Sequence, residues 1–365
     1  MIYVLQMLAT MNRGGAETFI MNVYRNIDRE RVQFDFLLCA KKNDYAQEIE
    51  ALGGRIFIIE PRNKGVLKYW KSLDRFFKFN GAKYSTVHCH VSSLSSIAHL
   101  FFAKKYGVKN RVIHCHSTVA EGLIHRILHY ANKPFLSMVA THYLGCSDLA
   151  LKWLYKGTGR YNQAVMINNG INSSQFAYDV RVRGFMREKL CVNDKIVFGH
   201  IGRFSKMKNH QFIIDVFHSY LMKYGNAFLL LVGTGELFEQ IQSYVVKLNI
   251  SENVLFLGLR SDTAELLQAM DLFLFPSIFE GLPVALVEAQ TSGVMIYASD
   301  AISSDAGICD NIKFLSLKHN ADYWSEYIHN DYMKYVRTDK SARIIDAGFD
   351  IRTTTEYLVN DIYAL

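Results

Sequence analysis

No apolar run in the 365-residue chain approaches the ~20 residues that a helix needs to span a bilayer. The longest runs, within "IVFGHI", "AFLLLVG" and "DLFLFPS", have the length of strands, which excludes a helical integral membrane protein. The opening "MIYVLQMLAT" lacks a basic prefix and a small-residue cleavage site, so no export signal is expected and the cytoplasm is the expected compartment. The six cysteines form no Cys-x-x-Cys pair and are expected to be buried free thiols of a reducing compartment. No segment is of low complexity, and no repeat of fixed period recurs. What is present is a chain that is 50% hydrophobic and longer than one core usually supports, which points to two folded domains.

Charge divides unevenly along the chain. Residues 1–170 carry 23 Lys and Arg against 11 Asp and Glu, while residues 171–365 carry 18 against 23. Part of the first excess is a stripe, Lys64, Lys68, Lys71, Arg75 and Lys78, whose spacing of three and four places it on one face of a helix. Tyr69, Trp70, Phe76, Phe77 and Phe79 share that stretch. A basic helix with aromatics suits an anionic membrane surface; a solvated outer helix over core aromatics is the plainer alternative. Because the basic residues lie in one half with no recognised module, nucleic acid is not an expected partner.

Strand-length apolar runs alternate with segments of helical period, the pattern of a doubly wound parallel sheet. Strands are predicted near 2–9, 33–39, 55–59, 85–90, 111–115 and 141–145, and again near 196–201, 228–232, 254–257, 272–275, 295–298 and 313–315. Helices between them are predicted near 16–27, 44–52, 65–79, 94–105, 121–138 and 148–156, then near 209–223, 235–248, 262–269, 283–292 and 321–335. The turn-rich "INNGINSSQF" separates the halves, with Asn169-Gly170 suited to a sharp turn. The expected architecture is two Rossmann-like domains facing a cleft, residues 1–170 and 171–345, with 346–365 a final helix. Open parallel sheets bind ligands beyond the carboxyl ends of their strands.

At those ends stand several polar clusters. "NRGGAE" puts Gly14 and Gly15 at a helix start, where backbone amides favour an anion, although a plain tight turn explains the pair equally well. "VHCHVS" and "IHCHST" place His88 with His90, and His114 with His116, on one face of each strand. No carboxylate or cysteine pair stands beside them at ligand spacing, which disfavours zinc. His116, with Ser117 and Thr118 adding donors, is the stronger candidate for hydrogen-bonding a substrate; His90 reads equally well as structural. "GHIGRFSKMKNH" ends a strand with Gly202 and Arg203 and sets Lys208 before a helix, an arrangement suited to a diphosphate leaving group. Gly233, in "LVGTGEL", and Leu257 and Gly258, in "LFLGLR", expose backbone where a nucleobase edge can be read. In "FEGLPVALVEA", Glu280 falls in an exit loop, Pro283 in the first helical turn, and Glu288 inside the helix, where two oxygens suit a vicinal diol.

Taken in order, "GGAE", "HCHS", "NNGIN", "GRFSKMKN", "VGTGE", "FLGLR" and "FPSIFEGLPVALVEA" resemble the family 4 retaining glycosyltransferases of GT-B fold, over nearly the whole chain. The resemblance implies a transferase moving a hexose from a nucleotide sugar, most commonly a UDP-sugar, to a glycan or lipid-linked acceptor, as in capsule and exopolysaccharide synthesis. It implies that Arg203 and Lys208 hold the diphosphate, Glu288 the ribose hydroxyls and Glu280 the donor sugar. It further implies that backbone at Gly281, Leu282, Pro283 and Val284 lies along sugar and phosphate, that Leu257 and Gly258 line the base, that Gly14 and Gly15 meet the diphosphate, and that His116 approaches the sugar. Retention in the family is ascribed to front-face attack, which needs no side-chain nucleophile. Asp-x-Asp, the cation-chelating pattern of the other large glycosyltransferase fold, is absent here, so no metal or other cofactor is expected. The final helix is expected to cross back onto the first domain, and the protein to sit in the cytoplasm or peripherally on the inner face of the plasma membrane. Two departures from the family pattern, "SGVMIYASD" and "SDAISSDAGICDN", touch no proposed ligand position. A GT-B sugar-nucleotide epimerase, which would release product without an acceptor, and a regulatory or scaffold subunit of the same fold are the alternative readings.

Overall fold

The computed structural model describes residues 1–12, 14–41, 43–117, 122–280 and 283–364. The chain divides into two compact units, Met1–Gly170 with Asp350–Leu365, and Ile171–Phe349. The return to the first unit begins at Asp350 rather than at residue 346, because the short helix Ser341–Asp346 and Phe349 still belong to the second core, through Ile344 and Phe349 itself.

The first unit holds seven parallel strands: β1 (Ile2–Met7), β2 (Val32–Leu38), β3 (Ile56–Ile58), β4 (Thr86–Val91), β5 (Asn110–Cys115), β6 (His142–Gly145) and β7 (Val165–Met166). Their order is β3-β2-β1-β4-β5-β6-β7. Alternation sends Leu5, Val87 and Ile113 to one face, where they cluster with Leu73, Phe76, Phe77 and Leu100 of the helices Val66–Asn80 and Ala98–Lys105. Val4, Val112 and Leu144 face the other way, toward Phe19, Ile20 and Val23 of the helix Gly15–Asn26 and toward the chain's last segment. That segment is capped by Asp350, runs helical over Ile351–Tyr357 and widens into a π turn over Leu358–Tyr363. Ile351, Leu358, Ile362 and Tyr363 are all buried there.

The second unit holds six parallel strands: β8 (Ile196–Ile201), β9 (Ala227–Val232), β10 (Val254–Gly258), β11 (Leu272–Phe275), β12 (Met295–Ser299) and β13 (Ile312–Leu315), in the order β10-β9-β8-β11-β12-β13. Its helix Val180–Lys189, absent from the sequence reading, is anchored by charge: Arg183 and Arg187 both pair with the buried Asp271, the second at 2.9 Å. The helix carries arginines where an apolar stripe would announce it.

Three local expectations change. The helix expected over 121–138 is two, Leu123–Asn132 and Leu136–Val139, because Pro134 lacks an amide hydrogen and sits in a tight turn between them. The helix expected from residue 94 starts at Ala98, since the Ser93 and Ser96 hydroxyls accept from the amides of Ser95 and Ala98. Pro283 stands one position before its helix, Val284–Thr291, in an extended conformation. All six cysteines are free thiols; Cys89, Cys115 and Cys309 are buried, Cys39 and Cys146 are half-buried, and Cys191 is exposed in a left-handed turn at φ 55°.

Candidate active site

In the second sheet the direction of strand addition reverses between β8 and β11, and the loops leaving these two strands diverge there. The β8 exit runs through Gly202 and Arg203 to a tight turn at Lys206–Lys208, and Asn209, left-handed at φ 55°, opens the helix His210–Tyr224. Two bonds tie it to the β11 exit: Ile278 N donates to Met207 O at 2.9 Å, and Asn209 Nδ2 donates to Pro276 O at 3.3 Å. Held this way, Lys208 Nζ lies 2.7 Å from Glu280 Oε1, with the two side chains only 16% and 18% exposed. The same ammonium sits 4.7 Å from the centre of the Phe275 ring. Arg203 leaves the same loop but reaches Glu236 instead, at 3.1 Å, with its side chain 73% exposed. A pair this solvated holds little energy, so Arg203 is available to an incoming anion.

Glycines let the neighbouring loops interlock. Gly233 adopts φ 132°, and a Cβ there would lie 2.1 Å from Gly202 O. Its amide donates to Gly258 O at 2.8 Å, joining the ends of β9 and β10. Gly235 packs as tightly, its Cβ position 2.4 Å from Phe204 O. Leu257 is half-buried at the end of β10. Gly281 and Leu282 lie outside the described residues. Pro283 is buried and offers no capping side chain, and Val284 begins the helix. Glu288, half-buried on that helix, has no hydrogen-bond or ion-pair partner for its carboxylate among the described residues, and burial pushes its pKa up to about 7.

In the first unit, Gly14 precedes the helix Gly15–Asn26, and Glu17 of that helix turns back on its start: a Cβ on Gly14 would meet Glu17 Oε2 at 2.4 Å. The amino-terminal end of the helix therefore already faces a carboxylate of its own chain, while a Cβ on Gly15 would meet nothing within 4 Å among the described residues. The four histidines form a stacked block. His88 and His90 lie 4.2 Å apart ring to ring, as do His114 and His116, and cross-strand contacts join the pairs. Burial holds His88 and His116 down to about 3 and His90 and His114 well below the usual imidazole range, so all four are neutral. One nitrogen each from His88, His90 and His114 lies within 4.8 Å of the others, with no carboxylate or thiolate in the group. These rings already bond one another, Tyr363 and Gln6. Thr118 lies outside the described residues.

The structure thus joins Lys208 to Glu280 and Gly202 to Gly233 and Gly258, turns the Arg203 side chain to Glu236, and gives the Glu288 carboxylate no partner among the described residues. Sequence reasoning missed Glu17, Gly235, Glu236, Gln6 and Tyr363. The available signal for Gln6 was one polar residue inside the apolar strand "IYVLQM".

Residues 13–175 match the family described as Glycosyltransferase Family 4, and residues 183–343 match that described as Glycosyl transferases group 1. The chain is 35% identical to EpsF of Bacillus subtilis, named as a glycosyltransferase, over 89% of this chain and 86% of that one. It is 27% identical to the UDP-Gal:alpha-D-GlcNAc-diphosphoundecaprenol alpha-1,3-galactosyltransferase of Escherichia coli, over 73% and 72% of the two chains. The crystal structure of Anabaena HepE in complex with UDP superposes with a TM-score of 0.81 over the full length of both chains at 18% identity, a likeness of fold. The chain belongs to glycosyltransferase family 4 and is a glycosyltransferase of GT-B fold.

Proposed function

We propose that this protein is a retaining transferase that moves a hexose from a UDP-sugar to a lipid-linked glycan in the synthesis of a capsular or secreted polysaccharide. The observation that carries the reading is the half-buried Lys208–Glu280 pair where strand addition reverses between β8 and β11. Lys208, already desolvated and compensated, is set to neutralise a departing diphosphate with Arg203 swinging from Glu236 to join it. Glu280 then accepts from hydroxyls of the sugar, Glu288 takes the two ribose hydroxyls, and the glycine loops of β9 and β10 border the base. His116 meets a sugar hydroxyl, and Gly14 and Gly15 approach the diphosphate once Glu17 turns aside.

In this scheme the bond between the anomeric carbon and the phosphate oxygen breaks, and the acceptor hydroxyl bonds to the same face of that carbon. The freed phosphate oxygen takes the acceptor's proton. Arg203 and Lys208 supply the positive charge that a divalent cation would otherwise bring, so transfer is expected to persist in EDTA.

Three observations support a lipid-linked acceptor. The Escherichia coli relative is named for a diphosphoundecaprenol acceptor, and the Staphylococcus aureus relative CapH, 25% identical over the full chain, for capsular polysaccharide biosynthesis. Lys64, Lys68, Lys71, Arg75 and Lys78 are all exposed, beside Leu67, Trp70 and Phe79 at 72%, 46% and 73% exposure. Leu123, Ile124 and Ile127 also face solvent, and a groove of about 570 Å³ is lined by Trp70, Phe101, Leu128, Phe135 and Met138. Apolar area of this kind under a basic rim suits an anionic lipid surface. No helix among the described residues is long and apolar enough to cross a membrane.

The deciding experiment is a titration of the full chain with a panel of nucleotide sugars, followed by transfer to a polyprenyl-diphosphate sugar. Lys208→Ala should remove binding of the preferred UDP-sugar; undiminished binding and transfer by that variant would end this assignment.

A further inference from the structure

Gln6, His90 and His116 form one hydrogen-bonded arm, and Tyr363, His88 and His114 another beside it, on the face of the first sheet covered by the last helical segment. The β1–β4 register places Gln6 beside His88, and the β4–β5 register places His90 beside His114. The links are His116 Nε2 to His90 Nδ1 at 2.8 Å, His90 Nε2 to Gln6 Oε1 at 2.8 Å, His88 Nδ1 to Tyr363 Oη at 2.7 Å and His88 Nε2 to His114 Nδ1 at 3.3 Å. The two arms lie side by side, with His88 against His90 and His114 against His116, each pair of rings 4.2 Å apart. Of the eight ring nitrogens, His116 Nδ1 and His114 Nε2 are the two without a partner among the described residues.

A neutral imidazole carries one N–H and one bare nitrogen, so orienting one link orients the rest of its arm. Gln6 provides that orientation. Its amide oxygen can only accept, so His90 Nε2 carries the hydrogen and His90 Nδ1 is bare. His116 must then donate from Nε2, which leaves its Nδ1 bare. On the other arm Tyr363 Oη shares one hydrogen bond with His88 Nδ1, and His88 Nε2 shares another with His114 Nδ1.

We infer that Gln6 and His90 are positioning residues that lock His116 as its Nε2–H tautomer and present His116 Nδ1 as an obligate acceptor to a ligand hydroxyl. A ligand is then required to bring an O–H to this point, and an ether or fluorine there is rejected because it cannot donate. The last helical segment meets the neighbouring arm through Tyr363. The inference rests on the proposed function only in assigning the hydroxyl to a donor sugar.

The test uses the full chain labelled with ¹⁵N-histidine, without nucleotide, and reads each tautomer from two-bond correlations between ring carbon-bound protons and ring nitrogens. Wild type should show His116 protonated at Nε2 alone. Gln6→Leu and His90→Phe should give exchanging tautomers of His116, whereas His90→Gln should preserve the wild-type form, because a neutral amide also accepts on one side and donates on the other. Transfer from a UDP-sugar should fall about tenfold in kcat/KM in Gln6→Leu, the effect of one misdirected hydrogen bond, and His90→Gln should retain it. A His116 protonated at Nδ1 or at both nitrogens in wild type, or an unchanged tautomer in both Gln6→Leu and His90→Phe, overturns the inference. So does a stoichiometric shift of the four histidine signals on adding Zn²⁺, which would make the block a metal site. If the tautomer is as inferred but no UDP-sugar binds, the proposed function falls and the chain stands.

Discussion

Replacing Glu288 with glutamine separates the demands of folding from those of ligand binding at one atom group. The carboxyl is pushed from 4.5 up to about 7 by desolvation, with no donor among the described residues to offset it. A shift of that size corresponds to about 3 kcal/mol of unfavourable burial once the group is ionised. The sign follows from the folded pKa lying above the unfolded one. The folded state holds the proton more tightly, so the group's contribution is fully favourable below about pH 4.5 and is lost as pH rises through about 7. The difference in stability between wild type and Glu288→Gln should therefore move by about 3 kcal/mol between pH 4.5 and pH 8. For a unit of this size that is roughly 6–12 °C in the relative melting temperature, with glutamine gaining toward high pH. UDP binding should move oppositely. A vicinal diol donates two hydrogens to the ionised form, so wild-type affinity should weaken as pH falls below about 7, and calorimetry in buffers of different ionisation heat should register proton release on binding. Glu288→Gln should bind UDP at least tenfold more weakly and without that pH dependence. Parallel melting curves for the two proteins across this pH range would refute the desolvated carboxylate, and equal UDP affinity would refute its place at the ribose.

Other outcomes follow from the same geometry. Gly233→Ala, which forces a Cβ to 2.1 Å from Gly202 O at φ 132°, should lower stability by about 3 kcal/mol and weaken nucleotide binding together, as read by melting and titration. Reversing Lys68, Lys71 and Arg75 to Glu should reduce binding to phosphatidylserine vesicles by more than about 10²-fold at low salt; unchanged binding would retire the basic face as a membrane contact. Leu123→Ser with Ile124→Ser should lower vesicle binding at high salt as well, because the lost contribution is apolar. Sugar transfer measured in EDTA should match that in Mg²⁺, and an EDTA-sensitive rate would show that Arg203 and Lys208 do not suffice.

Much of the fold was legible because burial on both faces of a parallel sheet favours apolar runs, most plainly in β9, β11 and β12, while β1, β2, β4 and β5 keep enough apolar positions around their polar residues to read as strands. The exposed two-residue β7 has no such run, and the helix Val180–Lys189 is held by arginine–aspartate pairs rather than by an apolar stripe, so neither carried a readable period. Around the candidate site, Lys208 and Glu280 were recognisable separately as strand-end residues. That they form one ion pair depends on two backbone and side-chain bonds between loops some seventy positions apart.

The sequence alone determined the two doubly wound sheets, the family and the places along the chain where ligand-facing loops emerge, since these depend on local periodicity and ordered motifs. Only the tertiary structure decided which of those residues meet. It turned Arg203 to Glu236, set Glu17 over the start of its own helix, left Glu288 without a described partner, and brought Tyr363 from the last turn onto His88 beside Gln6. The reason is physical: a side chain's partner, desolvation and tautomer are set by neighbours remote in sequence, and no period or spacing along the chain encodes them.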